Sequence, residues 1–528
     1  MFDEVVPDRE YNWLLHRNNY TLEQLNTIES NWIHNQKQIC GDCIESNDVP
    51  LVLPSQLNTM QRFAYNLVEH HIDNCEQLLL IINGSAGTGK SYTIYAISKL
   101  VDNKIKRSAP TAKAAFLIRG ETIHSQFSIN PIKNSNLYTP LVGSKLQDLQ
   151  NKFGSTTHII IDEYSMLSQA NLAIIDKRLR QAKENHDAFF GGVSIILGGD
   201  PGQLLPVGGS PLYQDPQSKN TESLASLGFL CYREFNKFIL LEQIERQKNN
   251  ENDPNQDYFV KLLSRLRNGV NNEQTVDDWK FLLQRQITPV LIEKFKDAIR
   301  LFPENFSCMK YNHGKLKELK MPICQCKSIN NPSSANRYDE DNFFGLKNLI
   351  NLSIDSKITL TTNLWTEKGL VNGANGIVKD IIFTHSNSLP TAILIEFDQY
   401  TGPRIFDADD HRHNWIPINP FEAYCQHYRA TRKQYPLRLG YALTIHKSQG
   451  QTLSQAVIDL GKNETSLGLT FVAISRLKNY KDLLLYPFPL ERLQKISNSK
   501  SLAPRLNEEK RIKIIIEQTL RKYHNILN

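Results

Sequence analysis

Gly84-Ser85-Ala86-Gly87-Thr88-Gly89-Lys90-Ser91 constrains this chain more than any other stretch, because it stands between an apolar run at 78–83 and a helix-forming run at 92–101. A loop of this composition turns successive backbone N–H groups toward phosphate oxygens, and it does so between a buried parallel strand and the N-terminus of a helix. Gly84, Gly87 and Gly89 remove side chains that would block the approach, with Thr88 inside the same cradle. Lys90 then meets the β- and γ-phosphates, and the Ser91 hydroxyl is a ligand for Mg²⁺. The loop dictates an α/β fold but does not separate a motor from a kinase or a GTPase.

Two further apolar runs, 158–161 and 193–197, end in acidic or Gly-rich positions. That is the pattern of buried parallel strands with functional loops at their C-terminal ends, and it predicts a doubly wound domain over 48–235. Asp162 and Glu163 follow the first run: Asp162 suits the Mg²⁺ shell, and Glu163 suits positioning and deprotonating a water. Gln203, in the loop after the second run, is an uncharged amide able to report γ-phosphate occupancy.

A second α/β domain is predicted over 236–370 and 439–490. Phe259, Leu262, Leu263 and Leu266 keep helical spacing before Gly269, and strands recur at 357–361 and 456–460. Between them, residues 371–438 hold short β-like runs separated by Asn, Gly, Pro and Asp, which predicts a small all-β insert. The tail, 491–528, carries Lys510, Arg511, Lys513, Arg521 and Lys522 at spacings that read as the solvated face of a helix. Residues 1–47 are an extension without a recognisable domain.

A chain of 528 residues exceeds what one core supports. No apolar stretch reaches the roughly 18 residues that span a bilayer, and the acidic N-terminus lacks a signal core, so membrane insertion is not expected and an intracellular address is. The net charge of +6 is mild at this length, so any polyanion site must be a local basic groove. Eight scattered cysteines form no disulfide framework and read as reduced thiols; Cys40/Cys43 and Cys324/Cys326 lie far apart and lack histidine partners for a zinc site. His411/His413 and Tyr424/Tyr428 are a poor likeness of a nuclease centre, since the residue between the histidines should be apolar.

Order adds what single motifs lack. Residues 109–115 (APTAKAA), 122–125 (TIHS), 161–166 (IDEYSM), 190–192, 200–207, Arg246-Gln247, 369–376 (GLVNGANG), 442–452 (ALTIHKSQGQT) and 472–476 (VAISR) resemble, in sequence, superfamily 1 DNA helicases of the RecD-related Pif family. The likeness runs over residues 57–487. It implies two tandem RecA-like domains, an SH3-like insert in the second, a small wedge near 124–150, ATP with Mg²⁺ in a cleft, and 5′-to-3′ movement along single-stranded DNA. It implies adenine contact by Gln61, γ-phosphate contact by Arg246 and Arg476, and DNA contact by His124 and His446. Thr111, Lys113, Thr444 and Lys447 join them, as hydroxyls and ammonium groups hold a backbone without reading bases. Leu205 stands where a Pro is usual and Tyr164 where a smaller aliphatic residue is. The expected partners are single-stranded and forked DNA, the expected state a monomer, and the expected compartment the nucleus in a eukaryote, with the mitochondrion as alternative. The competing readings are a translocase without robust unwinding and a noncatalytic binding protein descended from a mobile-element helicase.

Overall fold

The computed structural model describes residues 6–8, 10–40, 49–85, 87–129, 138–216, 223–245, 253–385, 388–425 and 428–527. They divide into two units, one drawn from 1–45 and 304–447 and the other from 46–303 and 448–528.

The larger unit is built on six strands: β1 (Leu79–Gly84), β2 (Ile105–Ala109), β3 (Glu121–Thr122), β4 (His158–Ile161), β5 (Ser194–Gly199) and β6 (Lys237–Leu241). They pair in the order β3-β2-β4-β5-β1-β6, every pairing parallel. Because strand side chains alternate faces, the unbroken apolar runs divide between two cores. Leu79, Ile81, Ile159, Ile161, Ile195 and Leu197 enter one, with Phe127, Phe153, Phe190 and Phe235. Leu80, Ile82, Ile160, Ile196, Ile239 and Leu241 enter the other, with Phe63, Leu67, Ile94 and Ile97. Helices therefore cover both faces, and the free positions for chemistry are the loops at the strand ends.

Within the same unit, Ile299–Phe302, Ala456–Ile458 and Leu483–Leu485 form a second set of parallel strands. The C-terminal helix, Leu502–Lys522, packs on β6: Ile512 joins one core, Tyr523 just beyond it joins the other, and the Phe238 N–H donates to Thr519 Oγ1 at 3.4 Å. Lys510, Lys513, Arg521 and Lys522 are exposed, as the charge spacing predicts. The opposite face of that helix is buried at Arg505, Glu508 and Thr519, a polar face whose burial its composition conceals.

In the smaller unit, five antiparallel strands run in the order Trp415–Ile418, Ala392–Phe397, Asn375–Ile382, Lys357–Leu360, Leu437–Leu439. Lys357–Leu360, predicted as a strand of the second α/β domain, is thus a member of this antiparallel sheet. Four residues of period-two pattern carry no information about the direction of their partners. The chain before residue 41 also belongs here: Trp32 and Ile33 enter the sheet's core, and the Tyr20 hydroxyl donates to Asp380 Oδ2 at 2.6 Å. Among the described residues, no helix is long and apolar enough to cross a membrane.

Arg432 holds a second, three-stranded sheet together from inside. It is fully buried beside Phe343, with its Nε donating to Asn330 Oδ1 at 2.9 Å and its Nη atoms to the carbonyls of Leu346, Ala335 and Tyr338 at 2.8–3.0 Å. Arg432→Met fills the volume but strands those acceptors, so we expect a loss of about 3 kcal/mol, as each buried unsatisfied group costs about 1–3 kcal/mol. Urea unfolding checks this; an unchanged midpoint would refute it.

Candidate functional site

The Gly84–Ser91 loop leaves β1 and enters the helix Lys90–Val101, whose N-cap Gly89 has φ +81°. A Cβ on Gly89 would stand 2.4 Å from Gln61 Nε2, and one on Gly84 would stand 2.3 Å from Thr88 Oγ1, so the cradle tolerates no side chain at either position. Gly87 also takes positive φ, +91°. Lys90 Nζ donates to the carbonyls of Gly84 at 2.6 Å and Ser85 at 3.0 Å, which draws the ammonium into the loop. Thr88 Oγ1 donates to the Ser85 carbonyl at 3.0 Å, and Ser91 lies in the first helical turn. Gln61 is buried; its Oε1 accepts from the Asn58 N–H at 3.0 Å and its Nε2 donates to the Thr88 carbonyl at 3.3 Å, fastening the preceding helix to the loop.

β4 delivers Asp162 and Glu163 beside that loop. Asp162 is 6% exposed, and a Cβ at Gly198 on the neighbouring β5 would stand 3.0 Å from its Oδ1. Burial, then the adjacent Glu163 carboxylate, push Asp162 up to about 7 against the pull of Lys90. A carboxyl raised above its unfolded value costs stability once ionised, and here the cost grows as pH rises from about 4 through 7. A divalent cation removes that cost.

Glu163 has φ +55°, a strained conformation for a residue with a Cβ, and its Oε2 is buried without a hydrogen-bond partner. Gln203 is 3% exposed and its Oε1 is likewise unpartnered. Two orphaned acceptors, in the loops after β4 and β5, suit an attacking water as donor, while Lys90 and the loop N–H groups suit the phosphate oxygens. Asp162 and Ser91 are the side chains here suited to Mg²⁺.

Some contributors were not legible as functional. Tyr164 occupies space left by Gly199, where a Cβ would stand 2.7 Å from its ring, and donates its hydroxyl to Asn83 Oδ1 at 2.7 Å, bracing the strand end before the loop. The Glu245 N–H donates to the Gly87 carbonyl at 2.7 Å, bringing the chain just before Arg246 to the phosphate loop. Arg246 itself lies outside the described residues, as do 130–137 in the expected wedge. Of that wedge, Ser144–Phe153 is a helix whose Phe153 stacks on Phe127 at 5.4 Å.

Arg476 is 2% exposed, and its guanidinium donates to the Val472 carbonyl at 2.9 Å and Ser475 Oγ at 3.0 Å. The loop 448–451 meets the acidic pair's surroundings: Lys113 Nζ donates to Gln451 Oε1 at 2.8 Å, and a Cβ on Gly450 would stand 3.8 Å from Glu163 Oε1. Thr111 caps the helix Ala112–Leu117 by accepting the Ala114 N–H at 3.3 Å, and burial lowers the basicity of His124. In the smaller unit, Thr444 is buried, burial lowers His446, and burial with Arg438 and Lys347 brings Lys447 down to about 8.

A PIF1-like helicase family model matches residues 56–277. The ATP-dependent DNA helicase Pif1 of Campylobacter jejuni is 26% identical over 444 residues, 78% of this chain and 91% of that protein. The ATP-dependent DNA helicase PIF1 of Danio rerio is 28% identical over 422 residues, but the match spans only 58% of its length. The crystal structure of Pif1 helicase from Candida albicans superposes with TM-score 0.64 at 22% identity, over 86% of this chain and 99% of that one. Bacteroides Pif1 in complex with ADP-AlF3 and ssDNA gives 0.60 at 21%, over 84% and 96%; likeness at this identity speaks for the shared tandem RecA-like fold. By its motifs and these relatives the chain is similar to Pif1 helicases, and residues 56–277 match the PIF1-like helicase family model.

Proposed function

We propose that this chain is an ATP-dependent DNA helicase that couples ATP hydrolysis to 5′-to-3′ movement on single-stranded DNA and to unwinding of forked duplexes. The observation that carries the reading is the pair of orphaned buried acceptors, Glu163 Oε2 and Gln203 Oε1, in the loops that follow β4 and β5. Lys90 neutralises the β- and γ-phosphates. Asp162 and Ser91 hold Mg²⁺, which when bound neutralises charge on the phosphate oxygens. Glu163 takes the proton of the attacking water, and Gln203 hydrogen-bonds the γ-phosphate or that water. Gln61 faces the base side of the nucleotide.

Arg246 and Arg476 stabilise the transferring phosphoryl group, an effect of about 10³ to 10⁵ in rate for arginines in this role. For Arg476 this requires leaving the Val472 carbonyl, so hydrolysis waits on a rearrangement of its loop. Thr111, Lys113, His124, Thr444, His446 and Lys447 contact the DNA backbone, Lys447 remaining mostly charged at neutral pH although burial brings it down to about 8. Binding is then indifferent to sequence and weakens with salt. Such an enzyme works where cellular DNA is, in a eukaryote the nucleus or the mitochondrion.

The test is unwinding of two partial duplexes, one with a 5′ and one with a 3′ single-stranded tail. Only the 5′-tailed substrate should be opened. Opening of the 3′-tailed duplex alone would reverse the polarity, and DNA-stimulated hydrolysis without opening of either would leave a translocase.

A further inference from the structure

The loop that presents Gln203 is anchored from outside the motor motifs. Asp200 begins it and is 1% exposed; its side chain accepts the Gly202 N–H at 2.9 Å, and its carbonyl accepts the Gln203 N–H at 3.1 Å. That carboxylate is gripped by Arg267, with Nη2 at 2.5 Å and Nε at 3.0 Å from Oδ1, and Nε at 3.2 Å from Oδ2. Arg267 lies across Gly202 so closely that a Cβ there would stand 2.5 Å from its Nε. Burial alone would raise Asp200, but Arg267, with Lys90 and the Gly202 amide, outweighs it and keeps the carboxyl below its usual value.

Arg267 is in turn held by the C-terminal helix. Its Nη2 donates to Glu509 Oε1 at 2.8 Å, and it sits in the last turn of Pro254–Asn268, which ends at Gly269 against Leu502. The same Glu509 oxygen is 3.7 Å from Arg505 Nε. Arg505 is fully buried, yet none of its three guanidinium nitrogens has a hydrogen bond. A buried cation without hydrogen bonds is costly, and one beside a carboxylate already shared with Arg267 couples the placement of both arginines. The chain's stretch of 502–522 therefore does more than cover β6.

We propose that Arg267 is a positioning residue for Gln203, and that Glu509 and Arg505 of the C-terminal helix set where Arg267 stands, making the tail a control on γ-phosphate sensing. This rests on the ATPase reading above. Arg267 touches no nucleotide; it acts by fixing Asp200 and the backbone of Gly202, so that the Gln203 amide meets the phosphate in one orientation. Misplacement of such a group by about 1 Å is worth on the order of a hundredfold in rate.

The experiment compares wild type, Arg267→Gln, Arg267→Lys and Glu509→Gln in the full chain by hydrogen exchange and by DNA-stimulated ATP hydrolysis. In Arg267→Gln, exchange should rise in the peptide over 198–207 while β1 and β4 stay protected. Its kcat should fall on the order of tenfold to a hundredfold with KM for ATP nearly unchanged. Arg267→Lys should restore part of the rate, and Glu509→Gln should shift both readouts the same way by less. Unchanged exchange at 198–207 overturns the proposal, as does loss of protection throughout the sheet, which would mean a structural role only. A rise in KM without a fall in kcat overturns it too. If Arg267→Gln does not fold, the partly exposed Glu509 position decides by the same criteria. Should wild type hydrolyse no ATP, the helicase reading falls, and the exchange comparison alone still decides whether the helix holds the loop.

Discussion

Glu163→Gln should stop turnover without emptying the nucleotide site: phosphate release in the presence of single-stranded DNA falls by about 10² to 10⁴-fold, the usual worth of a general base. The substitution keeps the side chain's size. It also keeps the strained backbone, φ +55°. What it removes is the acceptor basic enough to take a proton at Oε2, the atom that has no partner in the protein. A second consequence follows from Asp162, which Glu163 helps to push up to about 7. Without that neighbouring charge Asp162 ionises more readily, so ADP with Mg²⁺ should bind as well as to wild type, or better at mildly acidic pH. Phosphate release and fluorescent-ADP titration check both parts. Wild-type turnover would remove Glu163 from the mechanism, and lost ADP binding would make its role structural.

Lys90→Ala should fail differently, losing both nucleotide affinity and rate. Removing one preorganised donor aimed at developing charge costs about 10² to 10³ in kcat, and here the donor is also the cation that lowers Asp162 and Asp200. The pH dependence fixes the sign. With Asp162 in its proposed role of holding Mg²⁺ in the ionised form, activity is expected to be lost as pH falls through that group's value; without Lys90 the value rises, and the acid limb of residual activity moves to higher pH. An acid limb that stays in place would mean that Lys90 and Asp162 are not coupled. Retention of normal DNA-stimulated hydrolysis would refute the phosphate-loop assignment altogether.

Lys90 and Glu163 are each fixed by a local pattern: an apolar strand, then a loop whose chemistry works only at a strand end. Strands buried on both faces must be apolar throughout, so β1, β4 and β5 stand out from the chain, and their last residues name the site. Lys357–Leu360 shows the limit of that signal. Its pattern fits a buried strand, but whether it pairs in parallel or antiparallel depends on Asn375–Ile382 and Leu437–Leu439, which no local window contains.

The N-terminal stretch is a second case, because Trp13, Tyr20 and Trp32 look like scattered aromatics until the antiparallel sheet supplies the surface they cover. Tyr164 is a third. In the motif it is merely an unusual residue; its use depends on Gly199, 35 positions away, leaving room for the ring beneath Asn83.

By itself, the sequence determined the α/β class, the phosphate loop, the acidic pair and the Gln203 loop, since each requires particular residue types at short spacing. Only the tertiary structure decided what holds them. Arg267 carries no motif, and Glu509 and Arg505 sit in a stretch whose composition reads as solvated helix, yet together they clamp Asp200 from more than 60 and 300 residues away in sequence. Short-range patterns record what a residue can do chemically. The burial of an ion pair depends on which distant elements close over it, and that is a property of the packed chain.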